Sequence, residues 1–115
     1  MTALIANYRV VVCRHVDQGE VRNIDLKADD SVTGIFKNFA LYFYEKDPDE
    51  LGYVNPDNGY VVPRLPARDF DNVYHILQTE KKVYASWGAG DDNRLVWFQV
   101  GTSTEPLGEG LTDQS

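Results

Sequence analysis

Four apolar side chains, Phe70, Val73, Tyr74 and Leu77, recur at i, i+3, i+4 and i+7, the period of a helix that buries one stripe. Ile76 widens that stripe, and Lys81 and Lys82 suit the negative end of the helix macrodipole. A helix starting around Ala67 to Asp69 therefore needs an apolar surface to lie on. The rest of the chain supplies short β-branched and aromatic runs divided by turn residues, the pattern of a sheet.

The run Tyr8 to Val16, the turn cluster Asp17 to Glu20 and the run Val21 to Leu26 predict a hairpin. Ala28 to Ser31 offers capping oxygens, and Val32, Ile35, Phe36 and Phe39 follow at helical spacing, predicting a short first helix. Gly34 weakens that helix by about 1 kcal/mol relative to alanine, and the same residues also read as a strand running into Ala40 to Tyr44. Leu41 to Tyr44 is predicted as the third strand and Tyr60 to Val62 as the fourth. Between them, Pro48, Gly52, Asn55, Pro56, Asp57, Asn58 and Gly59 predict a long irregular loop. Val83 to Trp87 and Arg94 to Val100 flank a glycine- and aspartate-rich turn as a last hairpin.

Leu26 to Phe36 and Leu65 to Leu77 share a leucine, an acidic cap and a Val-x-x-Ile pair, which either a duplication or common periodicity alone produces. The expected fold is α+β: a single antiparallel or mixed sheet of about five to six strands with two short helices, in the order ββαβ-βαββ. Its 115 residues suffice for one core and not for two. One domain is expected over residues 1–101, followed by a flexible acidic tail over 102–115.

A formal charge of -7 opposes the phosphate backbone, so nucleic acid is not an expected partner. The same charge suits a small organic cation, a basic protein, or solubility alone. The start of the chain lacks a basic, apolar leader, and no run approaches the roughly 20 apolar residues of a membrane span. With Cys13 as the sole cysteine, no internal disulfide can form. A cytoplasmic protein without membrane insertion is expected.

Cys13, His15 and Asp17 share one strand face, but neighbours on that face have Cβ atoms about 6 to 7 Å apart. Catalytic cysteine-histidine pairs converge from separate elements, and zinc needs three or four well-placed ligands. His75 sits beside the apolar stripe of the predicted second helix. Asp47, Asp49, Glu50 and Asp57 lack the alternation and distal glutamate of a calcium loop. Gly88 and Gly90 precede acidic residues and a strand, whereas phosphate sites want a helix N-terminus. No catalytic residue, metal or cofactor is therefore assigned.

Large apolar groups remain on both faces of two strands. Tyr42 and Tyr44 oppose Leu41 and Phe43, while Leu95 and Trp97 oppose Val96, Phe98 and Val100. One helix layer covers only one face of a sheet, so the other needs loops, a ligand or a partner, and a homodimer is the expected cover. As a ligand site, Trp87, Trp97, Tyr42 and Tyr44 would form walls for a small organic cation, with Glu45, Asp91 or Asp92 supplying charge. The favoured reading is that the same aromatics simply fill the core or the dimer interface. The expected function is a small, acidic, non-catalytic binding or protein-interaction module. A small hydrolase or transferase with an unrecognised cleft, or an acidic inhibitor that mimics a polyanion, are the competing classes.

Overall fold

The computed structural model describes residues 1–102. Its elements are β1 (Thr2–His15), β2 (Gly19–Ala28), β3 (Asn38–Tyr44), β4 (Gly52–Asn55), β5 (Tyr60–Pro66), α1 (Phe70–Thr79), β6 (Tyr84–Ala89) and β7 (Leu95–Gly101). A 3-10 turn, Ala67–Asp69, leads into α1. The strands form one seven-stranded sheet in the order β4-β5-β3-β2-β1-β6-β7. Only β3 and β5 run parallel; the other neighbours are antiparallel.

The two ends of this sheet curl towards each other. Tyr53 on β4 bridges to Arg94 beside β7, and the Val54 N–H donates to the Asn93 carbonyl at 2.8 Å. The result is nearly a barrel. Its interior is filled by Ile24 and Leu26 from β2, Phe39, Leu41 and Phe43 from β3, Val61 from β5, and Ala85 and Trp87 from β6. The helical stripe lies on the inward side of this sheet: Phe70 meets Phe43 edge-on at 5.3 Å, and Tyr74 meets Tyr8 at 6.2 Å. The Arg22 guanidinium stacks over Phe70 at 4.8 Å, so a charged side chain seals the apolar contact from outside.

This mixed seven-stranded sheet with one short α-helix corrects the expected five to six strands with two helices. The segment expected to form the first helix is instead a turn and an entry into β3. Its Asp29 side chain accepts from the Ser31 N–H at 2.9 Å, its Asp29 carbonyl accepts from the Val32 N–H at 3.0 Å, and Gly34 sits at φ 104°. The Ala28 N–H then donates to the Lys37 carbonyl, drawing the returning chain onto β2. Val32 and Phe36 reach the core while Ile35 is 60% exposed, so their spacing does not reflect one helix face. Without that helix, the two halves cannot be copies of a strand-helix-strand unit.

The breaker-rich segment expected to be loop also holds a strand, β4. Its turn is built from the breakers themselves, with Asn55 accepting from the Asp57 N–H and Asn58 from the Tyr60 N–H. The expected tail falls, from residue 103 onward, outside the described residues.

Two carboxylates titrate low in this fold. Glu20 is held below its ordinary value chiefly by its hydrogen bond from Arg22 at 2.7 Å, and Asp29 chiefly by the Ser31 backbone N–H. A group whose folded pKa is depressed stabilises the fold above its unfolded value and loses that contribution as pH falls through the folded one. Acidification through the ordinary carboxylate range, about pH 4 and below, is therefore expected to lower the melting temperature. Glu20→Gln and Asp29→Asn should each flatten that decline in a pH series of thermal melts; slopes identical to wild type would refute the assignment.

Candidate functional site

Side-chain alternation sends Phe39, Leu41 and Phe43 of β3 inward and Ala40, Tyr42 and Tyr44 outward. The register then gathers further aromatics on the outward face. Tyr42 pairs with Arg64 of β5, Tyr53 of β4 pairs with Val62, and Tyr60 pairs with both Asn38 and Asn55. Because α1 lies on the opposite side, no helix among the described residues covers this face.

Tyr42, Tyr53 and Tyr60 surround a shallow depression of about 190 Å³, with Ala40 and Val62 as its floor and Asn55 and Asn58 on its rim. The floor is buried, whereas Tyr53 and Tyr60 are 41% and 39% exposed. Burial, then the negative charge of Asp25, raises the pKa of the Tyr42 phenol, so that ring stays neutral and presents a hydroxyl donor. Tyr44 continues the patch, its ring 6.4 Å from that of Tyr42. One cation already uses this surface: the Arg64 guanidinium stands over the Tyr53 ring at 6.0 Å.

The expected pocket residues are dispersed. Tyr42 and Tyr44 share the outward face. Trp87 is only 3% exposed and lies inside, edge-on to Phe39 at 5.2 Å and Phe36 at 5.9 Å. Trp97 is on the outside of β7, opposite Gly88. Asp92 accepts from the Arg94 N–H in the β6–β7 turn, with Asp91 exposed beside it. Glu45 accepts from the Glu20 N–H at the other end of the sheet. Tyr53 and Tyr60 were missed by the sequence reading. Their signal was the placement of one tyrosine on each side of the turn Asn55 to Gly59.

Wider, open hollows of about 460 and 510 Å³ flank the loop carrying Asp47, Asp49 and Glu50. Two of these carboxylates already have partners, since Asp47 pairs with Arg68 at 2.8 Å and Glu50 with Arg94 at 3.5 Å. Among the described residues, no group of three or more His, Cys, Asp or Glu is placed to hold a metal ion. Cys13 and His15 are both exposed at the hairpin tip, where His15 Nδ1 accepts from the Asp17 N–H. His75 is exposed on α1. Among the described residues no helix is long and apolar enough to cross a membrane.

Fold and face together define a small, nearly closed mixed sheet with one tyrosine-lined side that the described residues leave uncovered. Compared with protein-family models, curated proteins and solved structures, the chain matches none.

Proposed function

We propose that this chain is a non-catalytic interaction module that docks a basic protein by seating one cationic side chain among Tyr42, Tyr53 and Tyr60. The observation that carries this reading is the tyrosine-ringed depression on the sheet face opposite α1. At about 190 Å³ it is smaller than the roughly 300 to 1,000 Å³ of small-molecule pockets, which suits an anchoring side chain better than a free ligand. Tyrosine is enriched at protein interfaces, and its ring attracts an arginine or lysine placed over it. The chain's net charge of -7 favours approach of a basic partner. A cytoplasmic setting is part of this reading, supported by the exposed free thiol of Cys13.

The test is an NMR titration with the peptide Gly-Ser-Arg-Ser-Gly and its glutamine counterpart. The arginine peptide is expected to shift the Tyr42, Tyr53 and Tyr60 ring signals saturably, and weakly, because an exposed cation–π contact supplies only about 0.5 to 1 kcal/mol. Combining Tyr53→Ala with Tyr60→Ala should abolish the shift of the remaining Tyr42 ring signal. Both rings are partly exposed, so each substitution should cost the fold no more than about 1 kcal/mol. Equal response to both peptides, or shifts confined to the acidic loop, would overturn the proposal.

A further inference from the structure

β1 is much longer than the strand that borders it on one side. It pairs with β2 from Ile5 to His15, but with β6 only through Thr2, Ala3 and Leu4, plus the Ile5 N–H donated to the Val83 carbonyl. A bulge between Ile5 and Asn7 marks the departure. Among the described residues, the far edge of β1 has no neighbouring strand from Ala6 to His15, so the backbone N–H and C=O of every second residue there lack a ladder partner.

Natural edges are guarded by proline, by charge or by short length. This one has no proline or glycine from Ala6 to His15, and a β-branched centre, Val10, Val11 and Val12. Val11 is 38% and Val12 64% exposed. Of its two arginines, Arg9 binds Asp25 at 2.8 Å within the hairpin, while Arg14 stands opposite Glu20, whose carboxylate is held by Arg22 at 2.7 Å. Arg9 therefore brings no unpaired charge to an arriving strand.

We propose that two copies of this chain join by antiparallel pairing of their β1 edges, centred on Val11, into one continuous sheet. The inference goes beyond the tyrosine-face reading and does not depend on it. Outward-directed groups recur at every second residue, so a two-fold pair must match residues of like parity. That condition excludes setting Arg9 against the partner's Arg14. About Val11, it sets Val10 against Val12, Arg9 against Cys13, and Tyr8 against Arg14, where a ring faces a guanidinium across the strands. The edge is self-complementary in backbone hydrogen bonding, and this register keeps like charges from facing one another directly, as an isologous contact requires.

Light scattering on the eluting full chain is expected to show a mass rising from 13.0 kDa towards twice that value between low micromolar and submillimolar concentration. Val11→Asp places two carboxylates face to face at the centre and should hold the protein monomeric with its melting temperature unchanged. A nitroxide on the native Cys13 reads the register. Cys13 and its symmetry mate would lie about 14 Å apart along the strands, from four residues at about 3.4 Å each, close enough for dipolar broadening that spin dilution removes. A monomer throughout, an undiminished dimer of Val11→Asp, or a dimer without that broadening would each overturn the proposal.

Discussion

Replacing Trp87 by alanine is expected to destabilise the fold by about 3 to 5 kcal/mol, the range for emptying a large aromatic site in a core. The indole is 3% exposed and holds β6 against β3 through its edge-on contact with Phe39, while Phe36 closes its other side. Small domains are stable by only about 5 to 15 kcal/mol, so the variant loses a large part of the whole. At roughly 4 to 8 °C per kcal/mol for a domain near this size, the melting temperature should fall by about 12 °C or more. Trp97 is the internal comparison. It is 45% exposed and lies outside β7, so Trp97→Ala should cost about 1 kcal/mol or less. Urea unfolding of the two variants decides the matter, and similar costs would refute the inward placement of Trp87.

The sequence alone could not tell those tryptophans apart, and the reason is local. Alternation places Leu95 and Trp97 on one face of a regular strand. The irregular register between Gly88 and Ala89 sets Trp97 opposite Gly88 but Leu95 opposite Ala89, leaving Val96 as the extra residue. Leu95 consequently turns inward, 7% exposed, while Trp97 turns out. The stripe Phe70, Val73, Tyr74 and Leu77 was legible because a helix is specified by neighbours within two turns. The hairpins around Gly19 and the Gly88 to Asn93 turn were legible for a similar reason, their turn residues lying between apolar runs.

Elements that depend on distant partners were not. Val32, Ile35, Phe36 and Phe39 have helical spacing, yet Asp29 closes a turn and β2 recruits the chain from Lys37 onward, a tertiary contact overriding a local pattern. β4 is short and surrounded by breakers, and only its pairing with β5 makes it a strand. The candidate site divides along the same line. The shared face of Tyr42 and Tyr44 follows from alternation in one strand. Tyr53 and Tyr60 reach them only through the β4-β5-β3 register, whose parallel β3–β5 pairing joins residues separated by a hairpin. The sheet thus assembles an aromatic surface that none of its strands encodes alone.

Gly52→Ala is expected to be comparably damaging, by about 3 kcal/mol or more, and to remove the tyrosine-lined depression as well. Gly52 adopts φ 123°, a conformation costing other residues about 1 to 3 kcal/mol. An added Cβ would also collide with the Val62 carbonyl oxygen, which is main chain and cannot rotate away. Relief requires β4 to move off β5. Gly34→Ala separates the two causes: it meets the same kind of strain at φ 104°, but a Cβ there has nothing within 4 Å. It should therefore cost only the strain, about 1 to 3 kcal/mol, and leave the site intact. Tyr53 follows Gly52 directly and is held opposite Val62, so displacement of β4 removes one wall of the depression and strains the bridge to Arg94 that nearly closes the sheet. Gly52→Ala should thus lose the arginine-peptide response even under conditions where it remains folded, whereas Gly34→Ala should keep it. Equal unfolding free energies and equal peptide responses for the two variants would show that the close approach of β4 to β5 does not hold the tyrosine face together.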